Sequence, residues 1–141
     1  MDVYITAYCS NYNYGDGRKI IVVVDNNEIL YEWWDETKNE VIGRLELTIF
    51  KEALNFAKNY PEKFIRIHTE SQYCEQGYNN WSKKWRRNKW KGSDRKQIQN
   101  RDLWEKLDKL RFSNTDILRI KKNDKSKWVK YLDDIKNEYK F

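Results

Sequence analysis

The layout of the chain turns on the segment Phe64–Leu110, which reads FIRIHTESQYCEQGYNNWSKKWRRNKWKGSDRKQIQNRDLWEKLDKL. Phe64 to Thr69 follows Pro61, the only proline, and its apolar and β-branched residues predict a short strand. Ser71 to Arg87 predicts a helix on which Trp81 and Trp85, four apart, share a face. Lys91-Gly92-Ser93-Asp94 interrupts it with turn-forming residues. From Asn100 to Leu110 a helical period returns, with Leu103, Trp104, Leu107 and Leu110 on one side.

Toward the C-terminus, Ile117 to Lys121 predicts a strand. Lys125 to Tyr139 predicts a helix, with Trp128, Leu132, Ile135 and Tyr139 at helical spacing. Toward the N-terminus, Gly43 to Tyr60 is a helix by the same test, from Leu45, Ile49, Ala53, Phe56 and Ala57. Ahead of it lie three strand-like runs. Val3 to Tyr8 alternates, with Val3, Ile5 and Ala7 on one face. Asn11 to Arg18 is a turn, Lys19 to Val24 is β-branched, and Asp25-Asn26-Asn27 is a hairpin turn leading to Glu28–Trp34. The adjacent Trp33 and Trp34 must face opposite sides of that strand. One is expected in the core, the other exposed or covered by a partner. The order βββαβααβα predicts an α/β fold: a five-stranded mixed sheet with helices on both faces and right-handed crossovers, one domain across residues 1–141.

Composition narrows the function classes. Aromatics reach 16%, with 7 Trp and 10 Tyr, so disorder is excluded despite a mean hydropathy of -1.06. No run of about 18 apolar residues exists, which excludes a membrane-spanning helix. Cys9 and Cys74 lie far apart, which argues against a disulfide scaffold or a structural zinc site. With no signal-peptide pattern at the start, an intracellular, non-secreted protein is expected.

Charge is concentrated. Lys83, Lys84, Arg86, Arg87, Lys89, Lys91, Arg95, Lys96 and Arg101 fall between positions 76 and 101 with one acid, Asp94. That window carries +8 of an overall +6, leaving -2 for the rest. A basic patch on a near-neutral body is the footprint of a polyanion binder. Trp81, Trp85 and Trp90 lie within it, either to stack on bases or to support the patch from beneath.

The element order with this insertion resembles type 1 ribonuclease H, the bacterial-like form with a basic protrusion. The likeness is densest from Thr69 to Asp108. Glu70-Ser71-Gln72-Tyr73 is similar to the family's Asp-Ser-Gln-Tyr. Trp81, Trp85, Trp90-Lys91, Asn100-Arg101-Asp102-Leu103-Trp104 and Leu107-Asp108 resemble the protrusion and the helix after it. Arg44-Leu45-Glu46-Leu47 resembles the family's Arg-Met-Glu-Leu.

The resemblance implies four carboxylates holding two divalent metals for attack of water on an RNA phosphate. Carried onto this chain, the positions are Ala7, Glu46, Glu70 and Asp133, with Asp134 as the alternative register. The first, which bridges the metals in the family, is an alanine in Thr6-Ala7-Tyr8 where the family has Thr-Asp-Gly. Two divalent ions about 4 Å apart repel by about 17 kcal/mol at an effective dielectric near 20. Without the bridging acid a pair is not expected to assemble. At most one weakly held magnesium or manganese ion is expected, on Glu46, Glu70 and Asp133. The family's loop histidine has no counterpart, since the stretch reads Lys122-Asn123-Asp124 and His68, the only histidine, falls in the fourth strand as a half-buried residue. Substrate-contacting Thr and Asn positions read Val41, Ile42 and Gly43, while Gln72 and Asn13 match family contacts.

Without the resemblance, Glu46 and Glu70 read as acids favoured at helix starts. Ala7 is either an engineered substitution or natural divergence, and Tyr8, Glu70 and the missing histidine favour divergence. Three readings follow. The first is a pseudoenzyme that binds RNA–DNA hybrid or structured RNA through Asn13, Gln72 and the protrusion. The second is a magnesium-dependent ribonuclease H carrying an inactivating substitution or a rearranged site. The third is a scaffold for a protein partner in a larger assembly.

Overall fold

The computed structural model describes residues 1–92, 94–139 and 141. Three antiparallel strands open the chain: β1 (Asp2–Asn11), β2 (Tyr14–Asp25) and β3 (Glu28–Val41). They are followed by α1 (Ile42–Ala57), β4 (Ile65–Thr69), α2 (Gln72–Gln76), a π-helical turn (Gly77–Trp81), α3 (Ser82–Arg87), α4 (Arg101–Asp108), β5 (Thr115–Arg119) and α5 (Lys127–Glu138). The sheet order is β3-β2-β1-β4-β5, with β1, β4 and β5 parallel. This is the expected five-stranded mixed sheet. Ser93, part of the expected break at Lys91–Asp94, lies outside the described residues.

The two faces bury different residues because side chains alternate along each strand. Val3, Ile5, Ile21 and Val23 meet α1 and α4 through Phe50, Leu54, Trp104 and Leu107. Tyr4, Ile20, Val22 and Val24 meet α5 through Val129, Leu132 and Ile135. Trp33 packs toward the first core, whereas Trp34 is 43% exposed and stacks on Tyr139 of the same chain at 5.3 Å.

The β2–β3 hairpin is longer than its apolar pattern suggested. Pairing continues from Ile20↔Trp34 to Tyr14↔Val41, with a register shift at Gly15/Gly17. Asn26 and Asn27 turn it at φ of 51° and 62°, the left-handed pair a two-residue hairpin needs. The expected single helix over Ser71–Arg87 is α2, the π turn and α3 in succession. At Gly77, a Cβ would lie 2.2 Å from Cη2 of Trp104, so only glycine lets the indole seat against this turn.

Two features place the site. Parallel pairing of β1 with β4 ends at Ile5↔Thr69, which brings Ala7 and Glu70 out at the same edge. The Ile42 N–H donates to the Asn13 carbonyl at 3.0 Å, tying the β1–β2 turn to the start of α1.

Candidate functional site

Thr6, Ala7, Glu46, Thr69, Glu70 and Ser71 line one small pocket of about 20 Å³ at that edge. It has room for about one water-sized occupant. Glu46 lies one turn into α1, whose first turn carries no acid, so helix-start electrostatics do not account for it. Burial pushes the Glu46 carboxyl above its usual range; a Ser71 side-chain hydrogen bond opposes this and the Glu70 charge adds to it. The Thr6 hydroxyl is buried with no hydrogen-bond partner. Ser71 accepts from the Cys74 N–H at 3.1 Å and so caps α2 directly beside Glu70.

Asp133 does not enter this pocket. It lines an adjacent groove of about 330 Å³ together with Glu70, Arg119, Lys121, Lys122 and Asp124. Glu70 is therefore the wall shared by the two spaces. Its carboxylate is already engaged, since Lys136 Nζ donates to Oε2 at 3.1 Å. Among the described residues no three His, Cys, Asp or Glu side chains gather closely enough to hold a metal ion. Ala7 supplies no donor, Glu70 faces an ammonium, and the pocket admits one small occupant. This donor set does not fit a pair of divalent metals.

The protrusion is built differently from its helical reading. Trp85 is half-buried, with its ring edge-on to Trp104 at 5.2 Å, and Trp90 packs against the same core. These two rings support the patch from beneath. Trp81, 41% exposed and 5.9 Å from Trp85, is the one with a face toward solvent. Arg86 donates through Nε and Nη2 to Asp108 at 2.8 Å each, and Arg111 donates to the same carboxylate. Burial works to raise that carboxyl, but the hydrogen bonds from Arg86 and Arg111 outweigh it and hold it low. Arg86 thus anchors the protrusion to α4. Lys83, Lys84, Arg87, Lys89, Lys91, Arg95 and Lys96 are exposed and make no ion pair among the described residues.

Asn13 and Gln72 are both exposed. A Cβ at Gly43 would stand 3.5 Å from Tyr73, and Tyr73 accepts hydrogen bonds from Trp104 Nε1 at 2.9 Å and Asn100 Nδ2 at 3.3 Å. His68 stacks on Tyr4 at 4.4 Å and bonds Asp2 at 2.8 Å, a structural role. Burial pushes both the Cys9 and Cys74 thiols up, so neither is poised as a nucleophile. Lys136, Arg119, Lys121 and Lys122 were not among the residues singled out from the sequence. The available signal was the i, i+3 spacing of Asp133 and Lys136 and a second basic run after β5.

Comparison with known proteins agrees with this architecture. A family model described as RNase H matches residues 2–130. The ribonuclease H of Acetivibrio thermocellus is 30% identical over 141 residues, covering 99% of this chain and 86% of that protein. The ribonuclease H of Treponema denticola is 30% identical over 126 residues, covering 80% and 79%. Shorter, more similar matches span about half of the relatives' length. A foamy viral protease-reverse transcriptase, solved in complex with RNA/DNA hybrid, superposes with a TM-score of 0.75 at 16% identity over 94% of this chain and 18% of that one, a likeness of fold.

Proposed function

This chain belongs to the RNase H family, and we propose that it binds RNA–DNA hybrid or structured RNA through its basic protrusion without cleaving it efficiently. The observation that carries this is Ala7 in the pocket between Glu46 and Glu70, beside a protrusion with seven exposed basic residues free of ion pairs among the described residues. Phosphate contacts need only cations and shape, which remain. Two-metal hydrolysis needs a bridged, neutralised metal pair, for which the acids do not suffice. Any magnesium or manganese here is single and weakly held. The whole of residues 1–141 acts as one unit, inside the cell where nucleic acid is handled.

The experiment is to measure hybrid binding in EDTA and hybrid cleavage in magnesium and in manganese with the chain as written. Binding without cleavage is expected. Robust cleavage in either metal supports the rearranged ribonuclease instead, a reading favoured by Glu46 and Glu70 still sharing one pocket. No hybrid binding would leave the scaffold reading. That reading is weakened by Trp34, which, though 43% exposed, already stacks on Tyr139 and is approached by Arg18 of its own chain.

A further inference from the structure

Lys136 projects from α5 toward the acidic edge. Its Nζ donates to Glu70 Oε2 at 3.1 Å and stands 5.9 Å from the ring centre of Tyr8, the residue after Ala7. The lysine side chain is 26% exposed and the glutamate 37%, so the pair is partly sheltered. Asp133, three positions earlier, lines the groove on the other side of Glu70. One helix therefore delivers both an acid and a cation to the margin of the pocket.

We propose that Lys136 is a built-in cation at this site: its ammonium holds Glu70 in place of a divalent ion and meets a backbone phosphate of the bound nucleic acid. The proposal deepens the nucleic-acid reading above and rests on it for the phosphate contact. The physical case has two parts. A tethered ammonium reaches Glu70 without losing translational freedom, whereas a dissolved ion must be recruited and dehydrated. An ion binding at Glu70 would also sit against the +1 charge of Lys136, with Arg119, Lys121 and Lys122 lining the same groove. Asp124 and Asp133 oppose those cations, but the Asp124 carboxylate is committed to the Ser126 N–H at 2.8 Å. For a phosphate the sign reverses. Lys136 then acts as a point-charge contact from the neighbouring cleft of about 250 Å³ that it lines with Tyr8 and Ser10, wide enough to admit a backbone phosphate.

The test uses the full chain, Lys136→Gln and Lys136→Arg, with manganese alone as the first probe, followed by water-proton relaxation. Lys136→Gln should bind manganese about ten-fold more tightly than the chain as written, because removing an adjacent like charge is worth at least that much. Lys136→Arg should bind it no better. Equal manganese affinity in the chain as written and in Lys136→Gln overturns the replacement. The second measurement is hybrid binding in EDTA across a salt series. Lys136→Gln should lower affinity several-fold and flatten the log–log salt slope by about 1, with Lys136→Arg unchanged. An unchanged slope overturns the phosphate contact. The manganese titration needs no nucleic acid, so failure of the nucleic-acid reading, seen as no hybrid binding by the chain as written, stays distinct from failure of the cation replacement.

Discussion

Ala7 is half-buried against the main core, and its methyl faces a pocket already shared by two carboxylates. Restoring an acid there adds a third charge where burial has pushed Glu46 up. Ala7→Asp should therefore cost about 1–3 kcal/mol in stability, the usual range for a buried, poorly compensated charge, measured by urea unfolding. It should also return little cleavage in magnesium. Glu70 remains tied to Lys136, Tyr8 follows position 7 where the family has glycine, and His68 is engaged with Asp2 and Tyr4. Cleavage restored well above background by this single change would mean that the other residues evolved with an acid at position 7. The acids were legible in the sequence because short motifs bracket them. Lys136 was not, since its spacing to Asp133 acquires meaning only once α5 docks and turns that face toward Glu70.

Helix α1 is clamped to α4 by Arg44, whose Nη1 and Nη2 reach Asp102 at 3.1 and 2.7 Å. The guanidinium holds the Asp102 carboxyl down at about 2. Because the folded chain titrates below the ordinary aspartate value near 3.9, this pair contributes fully above about pH 4 and is lost as pH falls toward 2. Thermal unfolding followed between pH 5 and 2 should show a smaller acid-induced fall for Asp102→Asn than for the chain as written. Equal falls would remove the clamp from the account of acid stability. The π turn makes a second, steric prediction. Gly77→Ala drives a methyl into Trp104, which is buried at the centre of the core, and should cost about 1–3 kcal/mol by overpacking, read from urea melts. Neither the π turn nor the far end of the β2–β3 hairpin was legible. Trp81 and Trp85 keep helical spacing across the turn's end, and Thr37 and Glu40 pair with Gly17 and Gly15 around a bulge at Lys38-Asn39 with no apolar alternation to announce it. What did read correctly, the order and type of the elements, rests on apolar periodicities long enough to average over such irregularities.

Taken together, the charge and the packing of the chain predict how it should respond to salt. Of the nine basic residues between positions 76 and 101, Arg86 is spent on Asp108 and Arg101 on Glu105 at 2.6 Å. Seven remain exposed around a base of Trp85 and Trp90 that the core holds in place. If about five of them neutralise phosphates, log K for hybrid should fall against log salt with a slope of about -4 to -5. The triple change Lys83→Glu, Lys84→Glu and Arg87→Glu should abolish binding while leaving the unfolding midpoint close to that of the chain as written, because none of the three makes an ion pair among the described residues. Arg86→Glu should behave differently. It places a carboxylate against Asp108, so it should lower thermal stability and loosen the protrusion from α4. The contrast separates contact from support: a binding defect with intact stability identifies phosphate contacts, and a binding defect that tracks stability identifies scaffolding. A salt-independent affinity, or a triple variant that still binds, would show that the patch is a solvated face and that the nucleic-acid reading fails with it.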